Sequence, residues 1–100
     1  MTDHGLHEPA EALDGRLVDR HRAIVSLMEE LEAVDWYDQR IAVVQDDDLR
    51  RILVHNRDEE KEHGAMLLGW LEANDDGWRE ALGRYVKLDP RPSSGRPPDL

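Results

Sequence analysis

Apolar residues recur at helical spacing along two long stretches of this chain. In the first, Leu13, Leu17, Ile24, Leu27, Met28, Leu31 and Val34 predict a helix from about Pro9 to about Gln39. Pro9 suits a first helical position, and Gly15 weakens the opening turns by up to ~1 kcal/mol, so the stable part starts near Arg16. Residues 43–47 read as a connection, where Asp46, Asp47 and Asp48 offer an N-cap and favourable charge for the next first turn. A second helix is expected from about Asp47 to about Ala73, stopped by Asn74-Asp75-Asp76-Gly77. A short third helix, from about Trp78 to Val86, carries Trp78, Leu82 and Tyr85 on one side. The fold class is therefore all-α: an antiparallel two-helix hairpin plus a short C-terminal helix.

The pattern is broken in two places. In the second helix, Leu49, Leu53, Asn56, Glu60, His63, Leu67 and Trp70 step by four and three, with polar residues in the middle. Burying an unpaired charge costs several kcal/mol, so either this seam is exposed or something compensates, as a divalent cation would. Glu60 and His63, three apart, project about 60° apart around the axis and about 4.5 Å apart along it, within reach of one ion. On this pattern alone, ligation and a merely exposed face are equally good readings. In the first helix, Ala23, Leu27, Glu30, Val34 and Ile41 form a stripe in which Glu30 is the single charge. For a hairpin turning near residue 45, residues whose numbers sum to about 90 lie level, which sets Glu30 beside Glu60 with His63 one turn beyond. One Glu facing a Glu-x-x-His is half of the carboxylate di-iron site of ferritin-like bundles, and a two-fold pair of chains would supply the other half and close a four-helix bundle.

Composition narrows the options further. One hundred residues allow one small domain, and a hairpin of this size covers little of its own apolar surface, so homo-oligomerisation is expected. The formal charge of −10, without a basic stripe, argues against nucleic acid and suits a protein that attracts cations. The absence of Cys removes disulfides, thiolate metal sites and a Cys nucleophile. No basic segment followed by an apolar run opens the sequence, and no stretch approaches the ~20 apolar residues of a membrane span, so a cytoplasmic protein without membrane attachment is expected. Residues 1–8 are expected to be a flexible N-terminus in which His4 and His7 are solvated, 9–86 the helical domain, and 87–100, rich in Pro, Ser and Gly, a disordered linker.

Other candidates are weaker. Glu29 and Glu32 lie three apart on a different face of the first helix; a solvated acidic face is the plainer reading, a second cation the sharper one. Trp36 and Tyr37 suit an interface, with Tyr37 also able to donate to a ligating carboxylate. His55 lies off the Glu60 seam as a surface or peripheral His, and Glu59 and Glu62 face solvent.

The blocks His21-Arg22-Ala23-Ile24-Val25, Met28 to Arg40 and His55-Asn56-Arg57-Asp58-Glu59-Glu60-Lys61-Glu62-His63 resemble the encapsulated ferritins over roughly residues 7–86. The resemblance implies a hairpin that pairs into a ferritin-like four-helix bundle, with dimers assembling into a decamer of five dimers. It implies a di-iron ferroxidase centre at the dimer interface, with Glu30, Glu60 and His63 of each chain as ligands, the same three that the seams select. Glu29 and Glu32 match positions binding secondary metal ions near the route to the centre; Trp36 matches a residue beside that peripheral site, and Tyr37 one close to the centre. The activity so implied is Fe²⁺ oxidation, delivering iron for storage inside an encapsulin nanocompartment, with the encapsulin shell protein as partner. The family's C-terminal docking peptide is not visible in Asp89–Leu100. Hard carboxylate oxygens with one imidazole suit iron, and Ca²⁺, Zn²⁺ or Mn²⁺ can occupy the metal sites instead. Two rival readings need no catalysis: a helical oligomer whose ions only neutralise the seam, and an acidic hairpin that binds a basic partner without metal.

Overall fold

A computed structural model describes residues 5–86, and all regular structure among them is helical. Helix α1 spans Gly15–Val43, α2 spans Asp47–Asn74 and α3 spans Asp76–Tyr85. Helices α1 and α2 run antiparallel as a hairpin, and α3 packs on the end of α2. His4 and the linker-like segment 87–100 lie outside the described residues.

Each helix starts on an aspartate. The Asp14 side chain accepts from the Leu17 amide at 2.9 Å, Asp46 from Leu49 at 2.7 Å, and Asp75 from Trp78 at 3.1 Å. Such caps satisfy amides that have no partner in the first turn. They also explain where the sequence expectation missed. Pro9 opens only a 3-10 turn, Ala10–Ala12, and Leu13 is extended, so α1 starts at its Asp14 cap rather than at Pro9. The far end of α1 runs four residues past Gln39, to Val43, since Ile41 still packs inward. Helix α3 starts at Asp76, two residues before Trp78, because Asp75 caps it while also closing α2.

The turn is short and clasped. Arg50 reaches back from α2 to the carbonyls of Ile41 and Val44 and pairs with Asp47 at 3.1 Å. A cation placed on the last carbonyls of α1 neutralises the negative end of that helix. Among the described residues two arginine–aspartate ion pairs cross the hairpin: Arg57 with Asp38 at 3.0 Å, and Arg20 with Asp75 at 2.8 Å. They hold α1 and α2 in the register expected from a turn near residue 45, with Leu27 level with Gly64, where an added Cβ would lie 3.6 Å from Leu27 Cδ1.

The apolar interior is thin. Ala23, Gly64 and Leu71 are the buried positions among the described residues, and of their side chains Leu71 is the one fully enclosed. Leu31, Ile52 and Met66 are 61%, 56% and 71% exposed, an unusual load of open apolar surface for so small a domain. The deepest line of α2 runs through Gly64 and Leu71, one residue on from the expected His63 and Trp70, which are half exposed. Pattern reading counts side-chain hydrophobicity and so passes over a glycine, whose contribution is to let the neighbouring helix come close.

Candidate metal centre

Halfway along the hairpin, Glu30 of α1 meets Glu60 and His63 of α2. One ligand atom from each of the three lies within 4.8 Å of the others. His63 Nδ1 is 3.6 Å from Glu30 Oε2 and 3.7 Å from Glu60 Oε1. Helical spacing within α2 accounts for the Glu60–His63 pair, and antiparallel register for Glu30. The side chains of Glu30 and Glu60 are 22% and 26% exposed, and His63, at 48%, forms the open edge.

Glu30 is unsatisfied as it stands. Its Oε2 is buried and has no hydrogen-bond partner. Its pKa is raised above the ordinary carboxylate value, chiefly by the carboxyl-to-carboxyl contact with Glu60, then by burial and by the Glu60 charge, while His63 pulls the other way. Two carboxylates converging in a partly desolvated place resist double ionisation. A divalent cation removes that conflict, and the donor set of two carboxylates and one imidazole suits Fe²⁺, Zn²⁺ or Mn²⁺.

An apolar groove of about 230 Å³ adjoins the cluster, walled by Leu27, Leu31, Val34 and Leu68, with Glu30 and Glu60 at its margin. Lys61 and Gly64 also border it, and the sequence reading singled out neither. For Gly64 a signal existed: a glycine in a helix interior costs about 1 kcal/mol relative to alanine and often marks a close approach.

The remaining candidates lie away from the cluster. Glu29, Glu32 and Trp36 are exposed on α1, whereas Glu30, between the first two, turns inward to Glu60 and His63 of α2. Tyr37 is half-buried with the Arg40 guanidinium 5.6 Å over its ring. His55 is exposed and paired with Glu59, one turn along α2. Glu59 and Glu62 face solvent as expected.

Comparison with known proteins agrees with the helical arrangement. The EncFtn-like family model matches residues 5–89. An encapsulated ferritin-like protein of Rhodospirillum rubrum is 59% identical over 86 residues, covering 86% of this chain and 61% of its own. A ferritin-like protein of Thermotoga maritima is 54% identical over 83 residues, covering 83% of this chain and 73% of its own. The present chain thus spans about three fifths of the first of these relatives. The crystal structure of a protein from Nitrosomonas europaea superposes with a TM-score of 0.79 at 49% identity, over 88% of this chain and 96% of that one. The match over the whole of the described helical region, together with these identities, makes this chain a member of the EncFtn-like family of encapsulated ferritin-like proteins.

Proposed function

We propose that this protein is a ferroxidase whose centre is completed when two copies pair through the face bearing Glu30, Glu60 and His63. The observation that carries the reading is the convergence of these three side chains around a buried carboxylate oxygen without a partner. Exposed Leu31 beside the cluster, and a centre open on its His63 side, support pairing. The name of the R. rubrum relative supports a place inside an encapsulin compartment, with the shell protein as partner and iron as cargo.

Fe²⁺ is the substrate. Two chains bring four carboxylates, whose charge balances two ferrous ions. Glu30 and Glu60 draw the ions in, and each His63 supplies a neutral nitrogen donor. Each ion gives up one electron to an oxidant of the dioxygen class. Oxidation raises the metal charge from +4 to +6, so the ferric products exceed what four carboxylates neutralise and are driven on to other anionic ligands. The protein's part is to hold two ions close together with coordination positions open. Glu29, Glu32 and Trp36, on the exposed side of α1, are proposed as a stopping place for cations on the way in, and Tyr37 as a neighbour of the assembled centre. Five such dimers in a ring are the proposed assembly. A hairpin bundle encloses no cage, which is why storage is assigned to a separate compartment.

Anaerobic Fe²⁺ loading followed by air tests the reading, by oxygen uptake and ferric absorbance. Rapid oxidation by the wild type, falling toward the protein-free rate in Glu30→Ala, Glu60→Ala and His63→Ala, is expected. A wild type no faster than buffer would leave the cluster a structural site at most.

A further inference from the structure

We propose that residue 64 is a positioning residue for the metal centre: the absence there of any side chain larger than a methyl group permits the approach of α1 to α2 beside Glu30, and so the reach of Glu30 to Glu60 and His63. The inference rests on the reading of these three as metal ligands. Gly64 is buried in the interior of α2, next to His63 and one helical turn beyond Glu60. A Cβ built there would lie 3.6 Å from Leu27 Cδ1 and 3.8 Å from Glu30 Cβ. Both are ordinary contact distances, so one methyl group fits between the helices. Among the glycines of the two long helices, a Cβ added at Gly15 or Gly69 would meet nothing within 4 Å, so Gly64 is the one whose added Cβ would touch the neighbouring helix. One of the two atoms it would touch is a proposed ligand's own Cβ.

The space is graded sharply. Alanine fills it at van der Waals distance. Valine adds two γ carbons at about 1.5 Å beyond Cβ, and in a helix its χ1 is nearly fixed, so it cannot turn both away from α1. Either Leu27 and Glu30 move outward together with their helix, or the residue is strained. Moving Glu30 by even part of an ångström opens the cluster, because ligand sites depend on the packing that orients them. A glycine here therefore acts through Glu30 without touching the metal.

The test uses Co²⁺ as a redox-stable probe, followed by its visible absorption and by calorimetry, on the whole chain. Gly64→Ala is expected to bind within about twofold of the wild type while its metal-free midpoint rises by about 4–8 °C, from the better helix propensity. Gly64→Val is expected to weaken Co²⁺ binding by about tenfold or more and to change the ligand-field spectrum. Wild-type affinity and spectrum in Gly64→Val, or loss of binding in Gly64→Ala, would overturn the proposal. If Gly64→Val does not fold, the pair Gly64→Val/Leu27→Ala relieves the nearer contact and leaves Glu30 as the obstacle; unchanged affinity there overturns it equally. Failure of the wild type to bind Co²⁺ strikes the metal reading itself. The spacing is then decided by metal-free crystal structures of the wild type and Gly64→Val, where an unchanged Glu30–His63 separation would refute it and a widened one would support it.

Discussion

Arg20 and Asp75 stand 55 residues apart in sequence and 2.8 Å apart in space, and the same Asp75 carboxylate caps α3 through the Trp78 amide. One side chain thereby ties the start of α1 to the junction of α2 and α3. Arg79 reinforces the junction by donating to the carbonyls of Glu72 and Ala73. Asp75→Ala is expected to release α3 more than Arg20→Ala, since the latter leaves the cap in place. Amide exchange over Asp76–Tyr85 reads the difference, and equal protection in the two variants would refute it.

Acid should loosen the same junction. The Trp78 amide, more than Arg20, holds the Asp75 carboxyl below its ordinary value of 3.8. A group with a lowered folded pKa adds stability above its unfolded pKa and loses it as pH falls through the folded one. Protection of α3 is thus expected to be steady down to about pH 4 and to fall below that, with the step absent in Asp75→Asn. A wild-type step at higher pH would point to another group.

Glu30 gives the opposite sign. Its pKa in the metal-free fold is raised from 4.5, so the folded chain holds more protons than the unfolded chain above that pH. Metal-free stability is therefore expected to decline as pH rises past 4.5 through the raised folded value, and to level off beyond it. Glu30→Gln should remove this slope. It should also stabilise the metal-free protein near pH 7 by about 1 kcal/mol while abolishing stabilisation by Mn²⁺, as replacing an unsatisfied charge allows. Thermal melts with and without Mn²⁺ across pH check both effects, and Mn²⁺ stabilisation intact in Glu30→Gln would remove Glu30 from the ligand set.

Assembly should respond to metal. Carboxylates brought together at a shared face repel without a cation, and a ligand that binds only the paired state favours it by mass action. Sedimentation of the chelator-treated protein is expected to show smaller species, which Fe²⁺ under anaerobic conditions converts to larger ones. Identical distributions with and without metal would show that packing alone drives association.

Asp46 offers a local control. Asp46→Ala removes the cap of α2 and is expected to cost about 1 kcal/mol without altering metal affinity, because the cap sits four turns from Glu60. Calorimetric melting and Co²⁺ titration separate the two. Lost affinity would mean that the turn reaches the centre.

Much of this arrangement is legible in the sequence. Glu30, Glu60 and His63 stood out because each interrupts an apolar stripe, and antiparallel register alone sets the first beside the second. The stop at Asn74 and the short third helix were equally visible in their turn residues. The start of α2 at Asp47 was legible too, whereas those of α1 and α3 were not, since Pro9 also suits a first helical position and only backbone geometry selects Asp14 and Asp75 as caps. The importance of Gly64 was missed because hydrophobic periodicity assigns a glycine no face. The cross-helix partners of Arg20 and Arg57 were missed because a charged residue next to many carboxylates has no single partner in sequence.

The clasped turn has a consequence for time rather than for structure. Three residues, Val44 to Asp46, separate the two long helices, so closing the hairpin is a local, first-order event of the kind that finishes in microseconds to milliseconds. Glu30, Glu60 and His63 are gathered in that same step, at a rate indifferent to how much protein is present. Any later joining of chains is second order. In a refolding experiment the two should therefore part company on dilution: helix signal recovers at a constant rate, and metal-dependent activity lags further behind at each lower concentration.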